Sequence, residues 1–237
     1  MTLLDPSNDG RLANLWEDEY ARKGIPSSFR PDPSGSLVDA LMILDSLSFK
    51  GMVAVDIGCG TGRNSLYLAS RGYEVYSLDI AETVVRRFAD HVTREGVDDR
   101  IHVFCRSVTE PWPISRGVCD LAADLFCYKH VIAPSQRTAY RRELASALRS
   151  GGYFLLTLAG TDDGYYGPLL SSSPDRDARI IIDPANSIPS VLYDAADIKR
   201  EFGDEFEIAH YEHKEKSGRM HDAEYLRSTH FFIFKRR

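Results

Sequence analysis

The feature that most constrains the fold is a series of short apolar runs separated by helical stretches. The runs lie at 52–57, 74–80, 101–105, 119–126 and 152–158. They are too continuous for strands that bury a single face, so they predict strands covered on both faces. The stretches between them at 63–71, 81–94 and 135–149 read as helices. This alternation predicts an α/β fold with a mostly parallel sheet.

The flanks of this core follow other patterns. Residues 8–24 and 35–48 read as helices, and "DAADIKREFG" (194–203) as another. The polar segment 159–177 is rich in turn residues, and "ARIIID" (178–183) predicts an extra strand. The last two strands are predicted at 206–214 and 225–235, joined by a hairpin at 215–224.

These patterns predict one domain of 237 residues in four parts. Residues 1–50 form an N-terminal helical cover and 51–158 the core. Residues 159–192 form an insertion after the fifth strand, and 193–237 a C-terminal helix and hairpin. A long loop in a compact domain is often a lid, but the insertion can also be a tolerated surface segment or a fixed subdomain around 178–183.

Composition and charge limit the cellular locations and the binding partners that the sequence predicts. The net charge of −6 and the pI of about 5.7 argue against a nucleic-acid partner. No apolar run approaches the ~20 residues needed to span a bilayer, and the N-terminus lacks a secretory pattern. The four cysteines contain no CxxC pair, which favours free thiols in a reducing cytoplasm. No metal-ligand spacing is present, so no metal is expected.

A glycine-rich turn follows the first strand, in the stretch "VDIGCGTG". Gly58, Gly60 and Gly62 let the backbone turn sharply and approach a ligand closely. The free N–H groups of the following helix favour a negative group. Asp79 ends the second strand beside this turn, where its carboxylate can accept hydrogen bonds from ribose hydroxyls. The turn therefore predicts a ligand that carries a ribose.

Two ligand classes fit such a turn, and the spacing separates them. A dinucleotide turn reads G-x-G-x-x-G, whereas this one reads G-x-G-x-G. Asp56, two residues before the first glycine, would repel a pyrophosphate but favour the cationic methionine end of S-adenosylmethionine. "VDIGCGTG" and the acidic "YSLD" resemble motif I and the following acidic motif of the class I S-adenosylmethionine-dependent methyltransferases. The resemblance covers residues 50–160 and implies a three-layer, Rossmann-like sheet of seven strands, one of them antiparallel.

The resemblance also implies roles for individual residues. Asp79 holds the ribose and Ile80 packs on the adenine, while Asp56 faces the methionine part. The full set of expected cofactor contacts is Asp56, Gly58, Cys59, Gly60, Asp79, Ile80, Ser107, Val108, Asp124 and Tyr20. The family usually places an acid after the third strand, but this chain has Arg106, so Ser107 or backbone takes that contact. For Asp56 and Asp124 the alternative is anchoring of loops through backbone N–H groups.

The early stretch "LANLWEDEYARKGIP" resembles the start of small-molecule methyltransferases of the tellurite-resistance and ubiquinone types, where it folds over the cofactor. Trp16 and Tyr20 lie four residues apart and share a helix face. Trp16 is expected to contact the acceptor and Tyr20 the cofactor. Plain packing of the helix on the sheet is the alternative.

Methyl transfer needs an acceptor held in line and shielded from water. The fourth strand leads into "FCYKH", which places Tyr128, Lys129 and His130 near the active mouth. His130 is the candidate base, and its alternative is a histidine satisfied by loop hydrogen bonds. Tyr128 is a second candidate catalytic residue, and its alternative is to line the pocket. Lys129 reads most simply as a solvated charge, although it can also hold an acceptor carboxylate. Tyr165 and Tyr166 are the candidate acceptor contacts in the insertion.

The sequence therefore predicts methyl transfer to a small-molecule acceptor. No D/N-P-P-Y/F motif follows the fourth strand, and no proline precedes Cys127, which argues against methylation of nucleic-acid bases. Methylation of a protein or a tRNA is the first alternative. A non-catalytic S-adenosylmethionine-binding protein and a nicotinamide-dependent oxidoreductase are the others.

Overall fold

A computed structural model describes residues 9–237 and contains a seven-stranded sheet. The strands in chain order are β1 (Val53–Ile57), β2 (Glu74–Asp79), β3 (Ile101–Cys105), β4 (Cys119–Leu125), β5 (Leu148–Ala159), β8 (Phe206–Met220) and β9 (Ala223–Arg236). Their spatial order is β3-β2-β1-β4-β5-β9-β8. Strand β9 runs antiparallel to both of its neighbours, and the other pairs are parallel. This confirms the predicted fold class.

Eight α-helices are present in this part of the chain: α1 (Asp9–Arg22), α2 (Pro26–Phe29), α3 (Gly35–Ser46), α4 (Arg63–Ser70), α5 (Glu82–Glu95), α6 (Pro134–Ala147), α7 (Tyr166–Ser171) and α8 (Ala195–Phe202). Two short strands, β6 (Ile180–Ile182) and β7 (Pro189–Val191), pair with each other outside the main sheet. None of the helices of residues 9–237 has the length and apolar character that a membrane span requires.

Apolar layers cover both faces of the sheet. On one face, Leu41 of α3 and Phe88 of α5 pack in the same cluster as Leu121 of β4. On the other face, Tyr140 of α6 and Phe202 of α8 share a cluster with Phe154 and other strand residues. Burial on both faces explains why the strand sequences are continuous apolar runs rather than alternating ones.

Three details differ from the sequence prediction. Helix α6 ends at Ala147 and β5 begins at the next residue, so Gly151 lies inside the strand rather than at the helix end. The last two strands extend through most of 215–224, leaving a tight turn instead of a long hairpin loop. The insertion is not a bare loop, since 159–192 contains α7, β6 and β7.

The insertion has an apolar cluster of its own. Tyr166, Ile181 and Leu192 are buried there together with Ile25, from the α1–α2 connection, and Met220 from the end of β8. The insertion is thereby packed against both the N-terminal cover and the hairpin. This packing places it beside the carboxyl end of the sheet, where ligands bind in open α/β folds.

Candidate active site

The glycine turn joins β1 to α4 in a conformation that side chains do not tolerate. Gly60 and Gly62 have φ angles of +53° and +83°. A Cβ atom on Gly62 would collide with the ring of Phe88, and one on Gly60 with the hydroxyl of Tyr20. The turn therefore needs glycine both for its backbone angles and for the close approach of neighbouring groups.

Asp79 holds the turn from the end of β2. Its Oδ2 atom accepts a hydrogen bond from the Gly60 N–H (2.8 Å) and its Oδ1 atom accepts one from the Ala81 N–H (3.0 Å). Burial raises the pKa of the Asp79 carboxyl, and these hydrogen bonds oppose the rise. Each carboxylate oxygen can accept a further hydrogen bond, so Asp79 can serve the turn and a ligand together.

A cavity of about 180 Å³ opens beside Asp79 and Gly58. Ile80, Ser107 and Val108 line it on the side of the sheet. Helix α1 covers it, with Trp16 and Tyr20 in its wall. The cavity thus lies between the glycine turn and the N-terminal cover.

The far end of the cavity carries the polar groups Lys129, His130 and Arg227 beside Tyr166. The Nδ1 atom of His130 lies 2.8 Å from the carbonyl oxygen of Pro189, which can only accept, so this nitrogen carries the proton. Burial lowers the pKa of His130 to about 3, assisted by the nearby Lys129 charge. His130 is therefore a neutral imidazole with an acceptor lone pair on Nε2.

Ten of the predicted site residues line this cavity. They are Gly58, Asp79, Ile80, Ser107, Val108, Tyr20, Trp16, Lys129, His130 and Tyr166. The interpretation of Lys129 as a solvated charge was wrong, because its side chain is only 3% exposed. Gly60 contacts the cavity wall through Tyr20 and Asp79, whereas Cys59 is buried and its thiol faces the carbonyl oxygen of Gly60.

Two predicted acids lie behind the cavity wall instead. Asp56 accepts a hydrogen bond from the Ser65 hydroxyl (2.6 Å), and burial raises its pKa to about 6. Asp124 accepts from the N–H groups of Cys127 and Tyr128 and from the Tyr140 hydroxyl, and burial raises its pKa to about 7. Both side chains make the hydrogen bonds of the loop-anchoring alternative.

Two predicted tyrosines are also directed elsewhere. Tyr128 is fully buried, and its hydroxyl donates to Glu201 while accepting from Arg141. Its position in the core, stacked on Tyr193, corrects the expectation that it takes part in catalysis. Tyr165 does not line the cavity, because its hydroxyl donates to Asp183.

Sequence reasoning missed several groups of the site. Phe126 lines the cavity with a φ of +79°, a conformation that is rare for a bulky residue and often marks a functional position. Arg227 comes from β9, far away in the sequence, and carried no local signal. Glu19 of α1 does not line the cavity but is fully buried in its cover, and it accepts hydrogen bonds from Ile25 N–H, Ser28 Oγ and Asn186 Nδ2.

The fold also gathers Asp162, His213 and Glu215 on the surface, with ligand atoms within 4.8 Å of one another. The spacing along the chain gave no sign of this cluster. The Ser228 hydroxyl already hydrogen-bonds Asp162 (2.6 Å) and His213 (2.7 Å), so those two side chains have partners without an ion.

Comparison with known proteins agrees with this arrangement. Residues 54–152, which hold the glycine turn and Asp79, match a family model described as a methyltransferase domain. Residues 54–152 therefore match a methyltransferase domain, and the sheet that contains them has the class I methyltransferase fold. This confirms the predicted family, the enzyme class of the domain and S-adenosylmethionine as its cofactor.

Three relatives illustrate the range of this methyltransferase family. The ubiquinone biosynthesis O-methyltransferase of Caulobacter vibrioides is 29% identical over 48% of this chain and 43% of its own length. Protein arginine N-methyltransferase 1 of Chlamydomonas reinhardtii is 30% identical over 44% of this chain and 31% of its own length. The chain thus spans less than half the length of these two curated relatives.

The third is a crystal structure of the Burkholderia thailandensis 1,6-didemethyltoxoflavin-N1-methyltransferase with 1,6-didemethyltoxoflavin and S-adenosylhomocysteine bound. It superposes with a TM-score of 0.73 at 16% identity, covering 100% of this chain and 92% of that one. At this identity the likeness shows the fold alone, which the described residues 9–237 share.

The residues present fit the cofactor of the family. The glycines of the turn let backbone approach the cavity with no side chain in the way. Asp79 can accept further hydrogen bonds from ribose hydroxyls, and Ile80 offers an apolar surface for an adenine. The Ser107 hydroxyl, which lines the same wall, can serve a polar edge of that ring in place of the missing acid.

Proposed function

We propose that the whole protein is an S-adenosylmethionine-dependent methyltransferase that acts on a small molecule. The observation that carries the proposal is one cavity that reaches from the glycine turn and Asp79 to Lys129, His130 and Tyr166. The cofactor supplies a methyl group already activated on a sulfonium. The protein's own task is then to position the acceptor and to exclude water.

At the cofactor end, Asp79 and the glycine turn would orient the ribose and the methionine part. Ile80, Ser107 and Val108 would hold the adenine, and Tyr20 would cover the turn. Asp56 and Asp124 would act through the loops that they anchor, by fixing the start of α4 and the segment 126–128.

At the acceptor end, His130 is fixed through Nδ1 by the carbonyl of Pro189. Its Nε2 lone pair can accept a hydrogen bond from an acceptor hydroxyl or amine and orient it. Because the pKa of His130 is lowered to about 3, this group is a weak base near neutral pH. We therefore infer that the main role of His130 is to orient the acceptor, and that removal of a proton is secondary.

The N-terminal cover favours a small acceptor over a macromolecular one. Asp9 accepts a hydrogen bond from Gln136 (2.8 Å), and Glu19 accepts one from Asn186 (3.0 Å), so α1 is tied down across the cavity. The net charge of −6 also disfavours a nucleic-acid partner, which would need a basic face. The ubiquinone and toxoflavin names of two relatives agree with a small acceptor, whereas the arginine methyltransferase keeps a protein acceptor as the alternative.

The reduced thiols remain the basis for proposing a cytoplasmic location.

The test is to follow a labelled methyl group. The protein is incubated with methyl-labelled S-adenosylmethionine and a cell extract separated into small-molecule, protein and RNA fractions. We expect label in the small-molecule fraction, and less of it with Asp79→Ala at a cofactor concentration that does not saturate the variant. Label in protein or RNA would support the alternative acceptors. Cofactor binding without transfer to any fraction would indicate a non-catalytic binding protein.

A further inference from the structure

The far end of the cavity contains two cations with unused donors, of which Lys129 is buried and Arg227 is partly buried. Lys129 is 3% exposed, and its ammonium nitrogen lies 3.9 Å from the centroid of the Tyr166 ring. The Arg227 guanidinium lies 5.3 Å from the same centroid, and its side chain is 11% exposed. Both line the cavity, so their polar ends face the same space around one aromatic ring.

Lys129 has no anionic partner within residues 9–237. Its ammonium group contacts the Tyr166 ring, and no ion pair or hydrogen bond joins it to a carboxylate of the described chain. A buried charge without a counter-ion is costly. Burial lowers the pKa of Lys129 to about 7, and the Arg227 charge adds to this effect.

The two nearby acids are committed to other donors. Asp163 accepts from Tyr165 N–H, Tyr166 N–H, Arg227 Nε and Ser228 N–H, which uses both of its oxygens twice. Asp183 accepts from the Tyr165 hydroxyl, Ala185 N–H and His221. These acids raise the pKa of Lys129 only from a distance.

Arg227 has one hydrogen-bonded nitrogen, and its other donors are unpaired within the described chain. Asp163 bonds only its Nε atom, at 2.8 Å, which fixes the guanidinium plane. Within the described chain its two Nη groups have no hydrogen-bond partner, so four N–H donors remain. A guanidinium of this kind matches the two oxygens of a carboxylate, and an ammonium adds a point charge.

We propose that Lys129 and Arg227 form a carboxylate subsite, and that the methyl acceptor is therefore a small aromatic acid. This inference rests on the proposed function and specifies its acceptor class. The carboxylate lies between the two cations, and the aromatic part of the acid packs among Trp16, Ile25 and Tyr166, which line the same end. The His130 Nε2 lone pair then faces the body of the acid rather than its charge.

The test compares benzoate with benzamide, which has the same shape without the charge. Protein saturated with S-adenosylhomocysteine is titrated with each compound by calorimetry. Benzoate is expected to bind at least tenfold more tightly than benzamide. Lys129→Met, which keeps the length but removes the charge, should weaken benzoate at least tenfold and leave benzamide within twofold.

Two further variants sharpen the result. Arg227→Lys keeps the charge but removes the fork, and should weaken benzoate less than Lys129→Met does. Lys50→Met, at an exposed position, should change nothing. Equal binding of benzoate and benzamide, absence of benzoate binding, or unchanged benzoate binding in Lys129→Met would each overturn the carboxylate subsite. Failure of S-adenosylhomocysteine to bind in the first step would instead overturn the proposed function.

Discussion

The Asp79 carboxylate performs two tasks at once. It accepts the N–H groups of Gly60 and Ala81, and so fixes the ends of the glycine turn and of β2 relative to each other. The same carboxylate lines the cavity and retains lone pairs toward it. A change at this residue therefore affects both the geometry of the turn and the ligand that it binds.

We predict that Asp79→Ala weakens S-adenosylhomocysteine binding by roughly ten- to hundredfold, because hydrogen bonds to a charged acceptor contribute ~1.5–3 kcal/mol. Calorimetric titration measures the affinity, and a thermal melt without ligand shows whether the chain still folds. Asp79→Glu is the control that keeps the charge but misplaces it. Equal affinity in wild type and Asp79→Ala would mean that the ribose is held elsewhere.

Lys129 predicts an unusual dependence of stability on pH. Its pKa is lowered from 10.5 to about 7 in the folded protein, so the unfolded chain binds more protons between these values. Through Lys129, the free energy of unfolding then rises with pH in this window by up to ~1.4 kcal/mol per pH unit. Below pH 7 the side chain is charged in the folded protein, so the cost of burying it is largest there. Removing the charge should thus stabilise the protein most at low pH.

The measurement is urea unfolding of Lys129→Met and wild type without ligand at about pH 6 and about pH 9. The stability gain of the variant should be larger at the lower pH. Lys50→Met serves as the exposed control and should show no gain at either pH. A gain that is the same at both values would show that Lys129 does not titrate in this window.

At the scale of elements, the position of α1 over the cavity depends on one buried acid. Glu19 accepts from Ile25 N–H (2.8 Å) and Ser28 Oγ (3.1 Å) in the following connection, and from Asn186 in the insertion. Removing it would leave several buried donors unpaired. The cover and the insertion would then lose their shared anchor.

Glu19→Ala is expected to lower the free energy of unfolding by at least ~1–3 kcal/mol, the cost of an unsatisfied buried group, and to expose the α1–α2 connection to trypsin at Lys23. Chemical denaturation and a timed digest measure the two effects. Asp18→Ala, an exposed acid of the same helix, is the matched control. A variant as stable and as resistant as wild type would show that α1 is held by its apolar contacts alone.

The mobility of the insertion stays a prediction. If 159–192 orders over the acceptor when cofactor binds, trypsin should cut at Arg176 or Arg179 in the free protein and not in the complex. The structure packs Tyr166 and Ile181 of this segment in an apolar cluster, which favours the rival fixed subdomain. Digestion with and without S-adenosylhomocysteine distinguishes them, since a fixed subdomain gives identical cleavage in both states.

The sequence predicted most of the core because its signals are local. A glycine turn, an acid at a strand end and apolar runs are readable within a few residues, and Asp79 and Ile80 lie where the pattern put them. The catalytic role predicted for Tyr128 was wrong because a residue after β4 can point to either side of the sheet. Packing with Tyr140 and Tyr193 sets its direction. Arg227 was missed because it lies in β9, 100 residues farther along the chain than Cys127, and only the fold brings the two to one cavity.

At the scale of the whole molecule, the cavity is assembled from every part of the described chain. The sheet supplies Asp79, the cover Trp16 and Tyr20, the insertion Tyr166 and the hairpin Arg227. Binding of a ligand in such a site couples these parts. A ligand that binds only the folded state should therefore stabilise the protein as a unit.

The measurement that tests the central claim most directly is calorimetric titration of the whole chain with S-adenosylhomocysteine, joined to chemical unfolding with and without it. We expect saturable binding at one site per chain and a stabilisation of about 2.7 kcal/mol at about 100 times the dissociation constant. NADH should give neither effect. Absence of heat and of stabilisation with S-adenosylhomocysteine, or binding of NADH in its place, would contradict the assignment of the glycine turn and Asp79 to this cofactor.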